Sequence, residues 1–203
     1  MDHETNRNAR SIALPPITVL IGLAALTVLA YWPAFDATYI WDDPDYVINN
    51  DTLRDAWGLW RMWTDRTALP QYYPLVHTTF WIQYQLHELW WPGYHALNIA
   101  LHAGSAFVFW LILSRLRLPG ALLASAIFAV HPVMVESVAW VTERKNTLSL
   151  LLALLSLYCW MRPQLWPADP DGPVRMHSKW WRRWALLLFV RSEERRVGKE
   201  WRS

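Results

Sequence analysis

The chain has 203 residues, 54% of them hydrophobic, 15% aromatic and only 18% charged, with 16 Trp, 13 Pro, one Cys and a formal net charge of +2. So much apolar and aromatic surface excludes a solvated, disordered coil, and the lone Cys159 excludes a disulfide scaffold within the chain. The near-neutral balance gives no footprint for a nucleic acid, which leaves an apolar globular domain or a membrane protein.

The distribution of the apolar residues favours the membrane. After a polar start, residues 1–11, the first run goes from Ile12 to Phe35 without a charge until Asp36. At 1.5 Å per residue it would be about 36 Å long as a helix, enough for a bilayer core of about 30 Å. It exceeds the apolar region of a signal peptide, and Tyr31-Trp32-Pro33 stands where a small-residue cleavage site would be. The expectation is a retained span over 12–35.

Next comes a large loop, Asp36 to Gly93. Within it, Leu53, Trp57, Trp60 and Trp63 recur at helical spacing, with Arg54, Gly58, Arg61 and Asp65 on another stripe. Leu53–Asp65 therefore reads as a helix lying in the headgroup plane. Thr78–Leu89 reads as a second one, stopped near Trp90-Trp91-Pro92-Gly93.

The second span is expected over 94–114. His95, Asn98 and His102 interrupt it at i, i+3 or i+4 spacing, so a helix places them on one stripe, facing a bundle rather than lipid. The third and fourth apolar runs, Leu118–Val130 and Thr147–Met161, are short. They are expected as spans over 118–134 and 146–161, or as a re-entrant pair, with the turns between them covered by protein or a water-filled cavity. The Pro-rich stretch Arg162–Arg183 reads as a plain connector, and a fifth span starts at Trp184. That span is cut after Val190 by RSEERRVGKEWRS, a string resembling a translated adapter-like tail. Residues 191–203 are thus expected to be foreign to the gene, and the chain an N-terminal fragment.

Lys and Arg in the loops set the orientation. With the N-terminus cytoplasmic, that side carries Arg7, Arg10, Arg115, Arg117, Arg162, Arg175, Lys179, Arg182 and Arg183 against few acids. The far side carries fewer cations and most of the acids, including Asp36, Asp42, Asp43, Asp45, Glu136 and Glu143. The fold expected is all-α, a polytopic helical membrane protein with its acids outside.

Chemistry concentrates in two outer loops. Trp41-Asp42-Asp43-Pro44-Asp45-Tyr46 follows the first span; adjacent carboxylates repel each other there and gain little from packing. A solvated turn or a helix cap is the plain explanation. The other loop holds His131-Pro132, Glu136 and Arg144-Lys145 on the same side. Pro132 ends or bends the incoming helix, leaving carbonyls and His131 free. Glu136 sits in the apolar stretch VMVESVAWV, and Arg144 is a plausible ion-pair partner for it. Carboxylates facing cations at one membrane surface suit an anionic, lipid-linked donor. The cations hold phosphate while a carboxylate takes a proton from an acceptor hydroxyl. His77, His87 and Cys159 read as structural, Asn50-Asp51-Thr52 reads as an acceptor sequon, and no metal-ligand spacing is present.

Several stretches resemble bacterial members of the transmembrane-and-tetratricopeptide-repeat family. They are Trp41-Asp42-Asp43-x-x-Tyr46-Val47-x-x-Asn50; Gln71-Tyr72-Tyr73-Pro74-Leu75; Gly93-Tyr94-His95-x-x-Asn98-x-x-x-His102; and His131-Pro132-x-x-x-Glu136-Ser137-Val138-Ala139-Trp140-x-x-Glu143-Arg144-Lys145-Asn146. The resemblance covers about Ile12 to Val190. It implies a GT-C-like membrane domain, residues 12–190, ahead of tetratricopeptide repeats on the non-cytoplasmic side, in a bacterial inner membrane. It also implies a protein O-mannosyltransferase-like activity that moves a hexose, with mannose as the candidate, from a polyprenyl-phosphate carrier to protein hydroxyls on the non-cytoplasmic face. Carried over, the catalytic acid falls on Asp42 or Asp43, with Asp42 favoured. His131, Arg144 and Lys145 would balance donor phosphate and Glu136 would orient one of them. Pro44 stands where many bacterial relatives have another acid, so a divalent metal ion is left open. Two other functions compete: a non-enzymatic membrane scaffold for tetratricopeptide repeats that bind partner proteins, and a transporter built on broken helices. The transporter ranks last because the charges gather at one surface.

Overall fold

A computed structural model describes the backbone of residues 14–165 and 174–192, and the side chains of 14–161 and 180–192. Every regular element among them is helical: α1 (Pro16–Ala30), α2 (Ala56–Thr64), α3 (Pro74–His87), α4 (Trp91–Arg115), α5 (Ala121–Val130), α6 (Val135–Ala139), α7 (Arg144–Leu165) and α8 (Val174–Ser192), joined by short 3₁₀ and π turns.

The central helix is α4, against which α1, α5, α6 and α7 pack. Pro92 opens it where a missing N–H costs nothing. Its buried face is polar: His95, Asn98, His102 and Ser105 are all covered, as the stripe in the sequence implies. Their side chains fasten other segments. His95 Nε2 donates to Ala37 O at 3.0 Å, Asn98 Nδ2 to Trp140 O at 2.9 Å, and His102 Nε2 to Ala129 O at 3.1 Å. The apolar residues of α1 and α5, by contrast, face outward: Ile17 and Ile21 on α1 and Leu123 and Ile127 on α5 are exposed. Small residues let the helices approach, with Val19 and Leu23 of α1 packing on Ala106 and Ala129.

The spans differ in length from the sequence expectation. Among the described residues one helix, Trp91–Arg115, is long and apolar enough to cross a membrane, and Ala121–Val130 with Pro132–Ala139 would be a second if that pair, bent by 47°, counts as one span. The first run, expected over 12–35, forms the 15-residue helix α1, about 22 Å long, followed by a 3₁₀ turn at Trp32–Asp36. Pro33 sets that break. The third run starts its helix only at Ala121, after Gly120 in the left-handed region at φ +78°, and ends where Pro132 removes the next backbone donor. Helix α7 is long, but Asn146, Ser149 and Ser156 dilute its apolar character.

The stretch read as a connector is helical from Val174, so α8 begins ten residues before Trp184 and pairs with α7 through Ser156 Oγ, which donates to Ala185 O at 2.7 Å. Arg191 and Ser192, the first residues of the expected foreign tail, continue α8; residues 193–203, the N-terminal stretch 1–13 and the Pro-rich residues 166–173 lie outside the described residues.

In the first outer loop the helix expected over 53–65 is a 3₁₀ turn, Asp51–Leu53, followed by α2. Asp55 caps α2 by accepting from Gly58 N at 2.6 Å. The helix sits on the protein through Gly58 and Met62, while Trp57, Trp60 and Trp63 remain exposed. Gly58 thus belongs to the covered face. The helix expected over 78–89 is α3, which starts at Pro74 and buries Val76, His77, Phe80 and Gln83.

Candidate functional site

The Trp41–Tyr46 segment has an unusual backbone. Trp41 lies in the left-handed region at φ +47°, and Pro44–Ile48 form a single π turn closed by Asn49 N–H to Pro44 O at 2.7 Å. A bulky residue at positive φ stores about 1–3 kcal/mol, held only where surrounding contacts demand it. Within this segment the two adjacent aspartates face opposite ways: Asp42 is exposed and Asp43 fully buried.

Asp43 uses both carboxylate oxygens on backbone donors. Oδ2 accepts from Ile40 N at 3.0 Å, within its own loop, and Oδ1 from Thr142 N at 2.9 Å, in the second of the two loops. Burial raises its pKa above the ordinary carboxylate value, and the two backbone N–H groups and nearby His95 oppose that rise only in part. The side chain of Asp42 makes no hydrogen bond or ion pair among the described residues. The two loops meet again through Trp41 and Trp140, edge to face at 4.8 Å between ring centroids.

Arg144 is the most buried large side chain of the second loop, with no solvent exposure. Its Nε donates to Asn98 Oδ1 at 2.8 Å, Nη1 to Thr79 Oγ1 at 3.2 Å and Nη2 to Tyr94 O at 2.9 Å, and the guanidinium stands 4.3 Å from the Phe80 ring centroid. Sequence reasoning put Arg144 at a donor phosphate and considered Glu136 as its partner. In the structure every guanidinium nitrogen is engaged below the surface, and Glu136 is not paired with it: that carboxylate is exposed without a side-chain hydrogen bond or ion pair among the described residues. Helix α4 already satisfies Arg144 from below, which removes its need for a carboxylate.

Lys145 pairs with Glu143 at 2.8 Å and lies 6.0 Å from the Trp140 ring centroid, and Asn146 Nδ2 donates to the other Glu143 oxygen. His131 is exposed, its Nδ1 accepting from Val133 N at 3.3 Å in the turn that Pro132 enforces. Glu136 orients neither His131, Arg144 nor Lys145 by a direct bond. Among the described residues, no three His, Cys, Asp or Glu side chains gather as a metal-ligand set. The sequon residue Asn50 is buried, its Oδ1 accepting from Thr52 N and Oγ1 and its Nδ2 donating to Tyr46 O, so its amide is committed to the fold.

Sequence reasoning missed the set that organises the second loop: Asn98, Thr79 and Tyr94. The stripe on α4 was a signal for Asn98. Nothing in the sequence tied Thr79 to a residue so far along the chain.

The chain is similar to Protein O-mannosyl-transferase F38B6.6 of Caenorhabditis elegans, at 30% identity over 172 residues, 77% of this chain and 24% of that protein. It is similar to human Protein O-mannosyl-transferase TMTC4 at 30% identity, covering 78% of this chain and 25% of the relative. Human Protein O-mannosyl-transferase TMTC3 is 29% identical over 89% of this chain and 20% of the relative. The chain therefore spans about a quarter of the length of the first two curated relatives. No family model and no solved structure matches it.

Proposed function

We propose, proceeding from the likeness to these protein O-mannosyl-transferases, that the intact protein is a polytopic membrane glycosyltransferase of the transmembrane-and-tetratricopeptide-repeat family. In this reading it transfers mannose from a polyprenyl-phosphate carrier to protein hydroxyls on the non-cytoplasmic side, here the outer side of a bacterial inner membrane. Residues 12–190 are the GT-C-like part of the membrane domain. An apolar exterior over a polar interior supports the bilayer placement: exposed Ile17, Ile21, Leu123 and Ile127 surround buried His95, Asn98 and His102.

One observation carries the catalytic reading. Two segments a hundred residues apart meet at one place, Asp43 to Thr142 and Trp41 to Trp140, and leave the Asp42 carboxylate exposed beside them. Asp42 acts as general base. The acceptor hydroxyl attacks the anomeric carbon, the bond from that carbon to the phosphate oxygen breaks, and the polyprenyl phosphate leaves with the electron pair. The hydroxyl proton passes to Asp42, and attack from the face opposite phosphate inverts the anomeric configuration. Exposed His131, and Lys145, whose largely covered ammonium exchanges its Glu143 partner for the donor, are the groups that balance phosphate charge. Glu136, exposed in the same segment, serves the rim through solvent. The test is Asp42→Asn in the intact protein. Insertion is unchanged and transfer to acceptor protein is abolished; wild-type transfer in that variant overturns the role of Asp42.

A further inference from the structure

We infer that Asp43 is a positioning residue, whose carboxylate clasps the first loop to the second and thereby fixes the exposed Asp42 carboxylate where the two loops meet. The inference rests on the reading of Asp42 as the base.

The clasp joins two halves, one of them pinned to α4. The pinned half is the Trp140–Arg144 segment. Asn98 Nδ2 donates to Trp140 O at 2.9 Å and Val141 O at 3.4 Å, the two carbonyls that precede Thr142. Asn98 is in turn held by Arg144 Nε, whose guanidinium also grips Thr79 and Tyr94. The Thr142 N–H is thus presented by backbone pinned to α4. The other half is the first loop, entered through a 3₁₀ turn and left through a single π turn. Asp43 joins the halves by accepting from Ile40 N–H and Thr142 N–H.

The chemistry of Asp43 separates it from its neighbour. A fully buried carboxylate outside every ion pair among the described residues is costly unless its hydrogen bonds are made. Here each oxygen holds a backbone donor and the carboxylate is wholly covered, so an acceptor hydroxyl in solvent does not reach Asp43. Asp42, flanked by the anchored Asp43 and by Trp41 packed on Trp140, has its backbone fixed at both ends and its side chain free. A general base needs that combination, because reacting groups must be held within about 0.5 Å of productive geometry.

The experiment uses the intact membrane protein with Cys159→Ala and spin labels on cysteines at the exposed positions Asp45 and Val133. Asp43→Ala broadens the distance distribution between the labels and lowers kcat by about a hundredfold, while KM for the lipid-linked donor stays within about twofold. Asp43→Asn, which keeps one acceptor oxygen for Thr142 N–H, falls between Asp43→Ala and wild type in both readouts. Asp42→Asn abolishes transfer and leaves the distance sharp. An unchanged distance in both Asp43 variants, or wild-type kcat in Asp43→Ala, overturns the positioning role. A broadened distance in Asp43→Ala together with wild-type transfer in Asp42→Asn instead overturns the base assignment, and the positioning role falls with it.

Discussion

Arg144 Nε donates to Asn98 Oδ1 at 2.8 Å, and with the Nη2 bond to Tyr94 O this ties the first residue of α7 to the N-terminal third of α4. The cation is wholly buried on neutral partners and two aromatic rings. Arg144→Lys keeps the charge and loses the planar fork, leaving Asn98 or Tyr94 O without a donor. The expected loss is about 2–4 kcal/mol, read as an earlier denaturant midpoint followed by Trp fluorescence in detergent. Asn98→Ala costs a similar amount, and the double variant loses less than the sum, because one network is broken twice. Additive losses would show that the two side chains act separately.

The pH dependence of stability separates Asp43 from the other acids. Its folded pKa lies above the ordinary 3.8 because burial disfavours the carboxylate. The native state therefore binds its proton more tightly than the unfolded state does. The Asp43 contribution is fully present below the unfolded pKa and is lost as pH rises from about 3.8 towards the raised folded value. Asp43→Asn has no such proton to lose. Between wild type and variant, the difference in unfolding free energy should shift against wild type across that window and level off above it. A difference that is flat with pH counts against the burial argument.

His77 titrates in the opposite sense. It is fully buried, stacked on Tyr46 at 5.2 Å with Asn50 Nδ2 3.4 Å from its Nδ1, and burial lowers its pKa from 6.5 to about 3. The neutral ring stabilises the fold fully above pH 6.5, and that stability is lost as pH falls towards 3. His77→Phe should flatten the acid limb of the stability profile between those two values, at the cost of the Asn50 contact. An unchanged acid limb would place the acid sensitivity elsewhere.

These groups show how far the sequence could be read. The α4 helix and its inward stripe were legible because His95, Asn98 and His102 interrupt an apolar run at helical spacing. The break at His131-Pro132 was legible because proline removes a donor wherever it stands. The meeting of the two outer loops was expected from charge and topology alone, yet the bonds that make it could not be read. Asp42 and Asp43 are adjacent and chemically identical in sequence, and only the folded loop, which follows a Trp41 at positive φ, turns one inward and the other outward. The partners of Arg144 were hidden for a related reason. An arginine beside a lysine at a membrane surface reads as a charge patch, and its neutral partners Thr79 and Tyr94 carry no charge to betray the pairing. The helical part of the connector, from Val174, was hidden by the prolines that precede it.

The seat of α2 gives the sharpest steric test. A Cβ at Gly58 would overlap the backbone carbonyl of Thr52, which is held in the 3₁₀ turn capped by Asn50. Backbone cannot step aside as a side chain can, so Gly58→Ala must lift α2 or open the Asn50 turn. Helix propensity alone would favour alanine by about 1 kcal/mol. The overlap should outweigh it, for a net loss of about 1–3 kcal/mol and faster proteolysis within residues 50–66. Gly104, on α4, is the control. A Cβ there meets only Leu151 side-chain atoms at 3.6 and 3.7 Å, ordinary contact distances. Gly104→Ala should therefore be neutral or slightly stabilising in the same unfolding measurement. If the two alanine variants behave alike, α2 does not rest on Thr52 and the exposed Trp57, Trp60 and Trp63 face is not fixed by Gly58.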